Sequence, residues 1–409
     1  MRPTLLSVRL RAFLLLLALL PVAACDMTEE PPISDLRIVG GVSFERLFAD
    51  PTATEIQAVR DDWASRTTSA TDAQIVASAA FDGATVHVVS HTMTGGPGAP
   101  FTHVGVVRVP DGLADDAPVL VVHHGGDSGV SIRTSGGFST ANTSIEALAD
   151  VFPSLMEQTV QVVPAYRSEF LRAGIAGLEA EYSSGGSASP WDYDVDDSMA
   201  LLSVALDLFA DETDPDRIAA LGFSRGANVA LLHQIRDDRI DAVTEYYGPT
   251  DFYNEGAQQL ASALVLGAQL PLPGAEYLFD EVLNPLRDAT GGYDENADYS
   301  SARLDVLRRS ASVFTSDLTT VQVHHHESDP VVPFSFSEAF DARAGSVSGS
   351  YEFNTYTNAV PSLGAEHSPE GLPESQAATE GWLLQALGVS ASTLTEAGRP
   401  GVQRSTSVR

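Results

Sequence analysis

The sequence predicts an α/β fold in which a mostly parallel, doubly wound sheet carries helices on both faces. Short, continuous apolar runs recur along the chain, and fully buried parallel strands have this pattern because helices cover both of their faces. The segments between the runs are long enough for helices. A length of 409 residues, of which 44% are hydrophobic, suffices for one large core. The apolar runs occupy residues 119–122, 160–163, 218–221, 242–246 and 321–324.

The chain begins with the features of an export signal. Three arginines precede an apolar run at residues 12–20, which is too short to span a bilayer comfortably. The following Val22-Ala23-Ala24-Cys25 resembles the lipobox of bacterial lipoproteins, which implies cleavage before Cys25 and a diacylglycerol on its thiol. We therefore expect an exported protein that a lipid anchors in the bacterial cell envelope. An ordinary signal peptide is the alternative.

Composition divides the rest of the chain into units. An acidic stretch with two prolines follows the cysteine and predicts an extended tether. Alternating, β-rich runs at residues 85–91 and 102–109 predict an opening hairpin. The predicted units are a signal peptide at residues 1–24, a tether at 25–35, an N-terminal lead-in at 36–80, the α/β domain at 81–389 with a helical lid insertion at 252–310, and a disordered tail at 390–409.

One helix of this domain is predicted from the apolar spacing of residues 198–209. Asp196 and Asp197 stand directly before it, where acidic side chains cap a helix and complement its dipole. We expect these two aspartates to cap the helix rather than to act in catalysis.

The charge excludes one large class of function. Acidic residues number 55 against 23 basic residues, all of them arginine, and the net charge is −32. Such a field repels phosphate backbones and anionic headgroups, so we expect no nucleic-acid partner and no adsorption to membranes by charge. A salty habitat and simple solubility explain the acidic surface equally well. Because Cys25 is the only cysteine, an intrachain disulfide and a thiolate metal cluster are excluded.

The strongest local signal is a G-x-S-x-G motif, Gly222-Phe223-Ser224-Arg225-Gly226. It lies between an apolar strand and a helical run, and this strand, tight turn and helix exposes a nucleophilic serine at the edge of a sheet. Side chains at positions 222 and 226 would collide with the neighbouring strand and helix. The motif predicts Ser224 as a nucleophile, which needs an imidazole to take its proton and a carboxylate to orient that imidazole.

Two later stretches carry a more specific resemblance. The residues that match the pattern H-G-x-x-D-x-x-V-P are His325, Asp329, Val332 and Pro333, with His326 in place of the glycine. Those that match the pattern G-A-x-H are Gly364, Ala365 and His367. Over residues 101–388 the chain thus resembles the catalytic domain of prolyl-oligopeptidase-like and dienelactone-hydrolase-like enzymes. The resemblance implies the α/β-hydrolase fold, with Asp329 as the catalytic acid and His367 as the base.

A further stretch, His123-His124-Gly125-Gly126-Asp127, resembles the first oxyanion loop of the same family. This implies two backbone N–H donors for an oxyanion, the amide of Arg225 and that of Gly126 or Asp127. Tyr166 follows the next predicted strand, as in the family, and both structural packing and a substrate contact stay open for it.

Some of these residues have a second interpretation. Glu327 and Asp317 are alternatives to Asp329, which the following Pro330-Val331-Val332-Pro333 favours. The run of histidines at 324–326 suggests a metal, but consecutive strand residues point to opposite faces and do not all reach one ion. We expect no metal and no cofactor.

Together these residues predict a serine hydrolase that cleaves an ester or a peptide bond in a small substrate through an acyl-enzyme on Ser224. A carboxylesterase without peptidase activity is one alternative. A catalytically inactive envelope lipoprotein that only binds is the other, because a fold does not fix a function. The sequence leaves the oligomeric state open.

Overall fold

A nine-stranded mixed sheet forms the centre of the protein in the computed structural model. The structure describes residues 38–126, 128–133, 143–268, 278–360 and 365–389. The predicted signal peptide, lipidated Cys25, tether and C-terminal tail lie outside the described residues.

The described strands are numbered in chain order. They are β1 (Ile38–Val39), β2 (Val42–Ser43), β3 (Ala70–Phe81), β4 (Ala84–Met93), β5 (Phe101–Pro110), β6 (Ala117–His123), β7 (Val130–Ser131), β8 (Thr143–Ser144), β9 (Val160–Ala165), β10 (Phe170–Arg172), β11 (Glu181–Ser183), β12 (Thr213–Phe223), β13 (Ile240–Tyr246), β14 (Val321–His326) and β15 (Tyr351–Tyr356).

The described helices are α1 (Phe44–Leu47), α2 (Ala53–Ser65), α3 (Ile145–Val151), α4 (Pro153–Gln158), α5 (Tyr193–Leu208), α6 (Arg225–Arg236), α7 (Glu255–Val265), α8 (Ser300–Arg308), α9 (Ser335–Arg343) and α10 (Pro373–Ala386). A π-helical turn spans Leu278–Leu283. Short 3-10 turns include Ala365–His367 and Pro369–Gly371.

The order of strands in the central sheet is β15-β14-β13-β12-β6-β9-β5-β4-β3. The six strands from β15 to β9 are parallel, whereas β5, β4 and β3 are antiparallel. The predicted mostly parallel sheet is confirmed, and the predicted opening hairpin is formed by β4 and β5.

Helices cover both faces of this sheet. Along β6, Val119 and Val121 belong to one buried core, and Leu120 and Val122 belong to a second core on the opposite face. The first core includes residues of α5 and α6, and the second includes residues of α3, α4 and α10. Because successive strand residues point to opposite faces, each apolar strand supplies both cores.

The end of the lead-in joins the sheet, which the sequence analysis did not predict. Strand β3 forms an edge of the sheet and pairs only with β4 among the described strands. Most of its side chains are exposed, so its sequence lacks the apolar pattern of a buried strand. Helix α2, in contrast, has a capping box in which Thr52 and Glu55 bond each other's backbone amides.

Asp196 and Asp197 do not cap a helix, so that part of the prediction is wrong, although Asp196 lies in the first turn, where its charge complements the helix dipole. Helix α5 begins at Tyr193, earlier than predicted, and Asp196 and Asp197 lie buried inside it. The carboxylate of Asp196 pairs with Arg236 at 2.5 Å, and that of Asp197 pairs with Arg167 at 2.6 Å. Buried carboxylates need such partners, and these arginines come from segments far along the chain.

The segment between β13 and β14 carries α7, the π-helical turn and α8. Its apolar side chains line a pocket together with Phe48 of the lead-in. The interpretation of this segment as a lid stays a prediction. Among the described helices, none has the length and apolar character needed to cross a bilayer.

Candidate active site

Ser224 stands between the end of β12 and the start of α6. Its φ of +52° and ψ of −120° form a backbone conformation that non-glycine residues rarely adopt and that costs about 1–3 kcal/mol. The backbone N–H of Ser224 donates to the carbonyl of Tyr246 at 2.9 Å. The strand, strained turn and helix expected of a nucleophile elbow are therefore present, and Ser224 is partly exposed there.

The glycines on either side of Ser224 are required by close backbone contacts. A Cβ atom at Gly222 would collide with the carbonyl oxygen of Gly226, and one at Gly226 would collide with the carbonyl oxygen of His123. A Cβ atom at Gly125 would lie 3.2 Å from the Cβ of Ser224. The elbow therefore packs directly against the loop that follows β6.

Asp329 and His367 are brought together by two loops at the carboxyl ends of neighbouring parallel strands. Asp329 follows β14, and His367 lies in the turn Ala365–His367 after β15. The Nδ1 atom of His367 is 2.7 Å from Oδ2 and 3.0 Å from Oδ1 of Asp329. A carboxylate in this position orients an imidazole and stabilises its charged form. Gly364 of the G-A-x-H stretch lies outside the described residues.

The Asp329 carboxylate is held in its ionised form. Burial opposes ionisation, but hydrogen bonds from His325 and His367 lower the pKa of Asp329 to about 2. The backbone N–H groups of Val331 and Val332 donate to Oδ1 at 2.7 Å and 3.0 Å. The backbone of its own loop therefore holds the carboxylate in place, in addition to the contact with His367.

The two alternative acids do not occupy this position. Asp317 pairs with Arg60 at 2.7 Å, and Glu327 is exposed. Of the three carboxylates weighed in the sequence analysis, Asp329 is the one that contacts His367.

Ser224 is linked to the base through the chain that leaves β13. The backbone N–H of Ser224 donates to the carbonyl of Tyr246. The ring centre of the next residue, Tyr247, lies 4.3 Å from that of His367. Ser224 and His367 both belong to the described residues, and no hydrogen bond joins the Ser224 hydroxyl to the His367 ring. Such bonds are often long in unliganded sites and tighten when substrate binds.

The loop that follows β6, which the sequence predicts to be the oxyanion loop, is joined to the elbow by Arg225. The Nη1 atom of Arg225 donates to the carbonyl of Gly126 at 3.1 Å, and Gly126 has a φ of +70°, which favours glycine. The N–H of Arg225 is in the first turn of α6, where amides have no partner within the helix. The pairing of the Arg225 and Gly126 amides as oxyanion donors stays a prediction. Asp127 lies outside the described residues.

Sequence reasoning missed the side chain of Arg225. The guanidinium is buried and pairs with Asp194 at 2.7 Å and with Glu169 on the other side. Burial opposes its charge, but Asp194 and Glu169 raise the pKa of Arg225 above its usual value. The Nε1 atom of Trp191 donates to the Arg225 carbonyl at 3.1 Å. No local motif signals these contacts, because their partners are far away in the sequence.

Tyr166 is completely buried behind the oxyanion loop. Its ring stacks on His124 with ring centres 4.2 Å apart, and its hydroxyl is 3.4 Å from Nδ1 of His123. The guanidinium of Arg225 lies 4.8 Å from the ring centre. These contacts favour the packing role that the sequence left open.

Each histidine of the 324–326 run has protein partners. His324 contacts the hydroxyl of Tyr356 at 2.7 Å, and His326 contacts the carbonyl of Asn358 at 2.9 Å. His325 lies beside the acid, with Nε2 3.4 Å from Oδ2 of Asp329. This second imidazole on the acid had one sequence signal, its position in the H-G-x-x-D pattern.

No known family profile matches the chain, and no curated protein matches it either. The structure is similar to acetyl xylan esterase 1 from Thermoanaerobacterium sp. JW/SL YS485, with a TM-score of 0.52 and 14% identity over 88% of this chain and 99% of that chain. An acetyl xylan esterase from Paenibacillus sp. R4 has a TM-score of 0.49 and 14% identity, over 84% of this chain and 99% of that chain. For a puromycin-hydrolyzing peptidase from Mycobacterium tuberculosis the TM-score is 0.45 and the identity 18%, over 76% and 48% of the two chains.

The first of these likenesses, together with the strand order, shows that the chain has the α/β-hydrolase fold. The fold predicted from the resemblance is confirmed. The three solved structures named above are two esterases and a peptidase.

Proposed function

We propose that the protein is a serine hydrolase that cleaves a carboxylic ester or amide bond through an acyl-enzyme on Ser224. The observation that carries this proposal is the 2.7 Å hydrogen bond between Asp329 and His367, on the sheet edge where β12 ends in the strained Ser224. A carboxylate, an imidazole and a serine in the order of this fold form the arrangement that activates a hydroxyl for acyl transfer.

In the proposed reaction, Oγ of Ser224 attacks the carbonyl carbon while its proton passes to Nε2 of His367. Asp329 holds the Nδ1 proton and stabilises the imidazolium. The amides of Arg225 and of Gly126 or Asp127 donate to the oxyanion. His367 then protonates the leaving alcohol or amine as its bond to carbon breaks. Water, which loses a proton to His367, hydrolyses the acyl-enzyme and restores Ser224.

Hydrolysis of chromogenic substrates by the purified protein tests the proposal. The wild type is expected to hydrolyse short acyl nitrophenyl esters, and Ser224→Ala is expected to lose on the order of 10⁴-fold or more of the turnover. Ser65→Ala, which changes an exposed serine at the end of α2, is the matched control and keeps wild-type turnover. A wild type that is folded but no faster than Ser224→Ala contradicts the proposal and favours a binding lipoprotein.

Aminoacyl and prolyl nitroanilides distinguish the two substrate classes. Nitrophenyl esters have good leaving groups and are cleaved by esterases and peptidases alike, so cleavage of an anilide is the informative result. Anilide hydrolysis that Ser224→Ala abolishes assigns peptidase activity. Ester hydrolysis alone assigns a carboxylesterase.

The pH dependence tests the base. A protonated imidazole does not accept the serine proton, so activity is expected to fall in mild acid. A rate that stays flat between about pH 5 and 8 contradicts the role of His367.

We also propose that the enzyme works at the bacterial cell envelope, anchored by a lipid on Cys25. The lipobox-like sequence and the single cysteine support this, although Cys25 lies outside the described residues. Cells that express the full chain with a labelled fatty acid are expected to yield a labelled membrane-bound protein, and Cys25→Ala is expected to yield an unlabelled one. A wild-type protein without label contradicts lipidation.

A further inference from the structure

Tyr247 is strained and stands beside the proposed base. It follows β13 directly and has a φ of +48°, a left-handed conformation that is unusual for a bulky residue. Its side chain is buried, and its ring packs on that of His367 with centres 4.3 Å apart. Strain of this kind persists only where surrounding contacts hold it, and it concentrates at functional sites.

Those contacts join Tyr247 and the preceding Tyr246 to all three segments that carry the proposed triad. Its backbone N–H donates to the carbonyl of His324, in the strand that leads to the acid, at 2.8 Å. The carbonyl of the preceding Tyr246 accepts the N–H of Ser224. Its hydroxyl donates to Oε1 of Glu370 at 3.0 Å.

Glu370 belongs to the loop that carries the base. It lies in the turn Pro369–Gly371, three residues after His367, and it is buried. The bond from Tyr247 to Glu370 therefore fastens this loop to the end of β13, next to the elbow.

This fastening supplies what the acid alone does not. The contact of Asp329 with Nδ1 fixes one atom of the His367 ring but leaves the ring able to tilt about that hydrogen bond. Packing against the ring of Tyr247 opposes this tilt and so limits the positions that Nε2 can take. A displacement of about 1 Å in a catalytic group commonly costs on the order of 10²-fold in rate.

We infer that Tyr247 and Glu370 are positioning residues that hold the ring of His367 in line with Ser224, an inference that rests on the proposed function. Tyr247 acts through its ring and through its hydroxyl, and Glu370 acts as the acceptor that keeps this hydroxyl, and with it the base loop, in place.

The test compares Tyr247→Phe, Glu370→Met, which removes the acceptor at similar side-chain length, and the double variant in the full chain, with nitrophenyl acetate as substrate. Tyr299→Phe is the matched control, because it also removes a buried tyrosine hydroxyl, one that accepts the N–H of Ser43 far from the site. Each variant is measured for kcat, for KM and for its midpoint of thermal unfolding.

Tyr247→Phe and Glu370→Met are each expected to lower kcat about tenfold, with KM changed less than twofold, because a misaligned base weakens the transition state and not substrate binding. The double variant is expected to be no slower than the slower single variant, since both remove one interaction. Tyr299→Phe is expected to lose comparable thermal stability and keep kcat.

Wild-type kcat in Tyr247→Phe and Glu370→Met overturns the inference, and so do losses in the double variant that multiply. A fall in thermal stability without a fall in kcat in the folded variants also overturns it. If the wild type itself is no faster than Ser224→Ala, the proposed function fails first, and the inference falls with it.

Discussion

The two sides of the site flanking Ser224 are built from different kinds of interaction. On the base side, the ionised Asp329 is surrounded by two imidazoles and two backbone amides. On the oxyanion side, the buried guanidinium of Arg225 lies between two carboxylates and bonds the carbonyl of Gly126.

The difference shows what each side has to do. The proposed base must gain and lose a proton in every turnover, and the carboxylate beside it stays ionised through both states and stabilises the charged one. The proposed oxyanion loop needs one fixed conformation, and the cation that contacts it keeps its charge throughout the physiological pH range. Substitutions on the base side are therefore expected to lower kcat, and substitutions on the oxyanion side are expected to lower the stability of the fold.

The largest effect is expected from Asp329→Asn. An amide at this position favours the wrong tautomer of His367, and we expect kcat to fall by about 10⁴-fold. The fall is measured with nitrophenyl esters at pH 7. Asp317→Asn is the control and is expected to retain wild-type kcat, because Asp317 pairs with Arg60 instead. A kcat within tenfold of wild type in Asp329→Asn means that another group orients the base.

A second substitution addresses the oxyanion side. Arg225→Met leaves the carboxylates of Asp194 and Glu169 buried without their cation, and we expect a loss of about 3–5 kcal/mol in the free energy of unfolding. Denaturant titration measures it. Arg60→Met, which breaks a half-exposed pair, is expected to cost less than about 1 kcal/mol. Equal losses in the two variants would remove the proposed difference between the two sides.

The smallest effect concerns Glu370 and pH. Burial raises the pKa of Glu370 to about 7 from an ordinary 4.5, and nearby Asp329 adds to the shift. The folded state therefore keeps this proton while the unfolded state loses it. The stability from Glu370 is present below about pH 4.5 and is lost as the pH rises to 7, by up to about 1.4 kcal/mol per unit. Asp329 has the opposite sign, since its lowered pKa gives stability that is lost only as the pH falls toward 2.

Glu370→Gln is expected to remove this dependence. Urea unfolding at pH 5 and pH 7 measures it as a smaller stability difference than in the wild type. Glu179→Gln, at an exposed position, serves as the control with an unchanged difference. An unchanged difference in Glu370→Gln would mean that Glu370 ionises normally in the folded state.

The sequence predicted those parts of the fold that depend on local patterns. The apolar runs became β6, β9, β12, β13 and β14 because strands covered on both faces are apolar throughout. The glycines at 222 and 226 predicted close backbone contacts that only glycine allows, and the structure has these contacts. Asp329 and His367 were found through matched motifs, and the structure brings them together.

The remainder depends on contacts between distant segments. Arg225 meets Glu169, and Asp196 meets Arg236, through burial that no local pattern records. Tyr247 has a left-handed backbone conformation, which a sequence usually signals by a glycine or an asparagine and not by a tyrosine. The edge strand β3 is largely exposed, so its sequence does not alternate between apolar and polar residues as that of a half-buried strand does.

The mass of the protein after treatment with a fluorophosphonate, followed by peptide mapping, tests directly whether Ser224 is the nucleophile and His367 its base. One adduct is expected, on the peptide that contains Ser224, and the labelling rate is expected to fall steeply in His367→Gln. Labelling that spares Ser224, or that proceeds equally fast in His367→Gln, would contradict these roles.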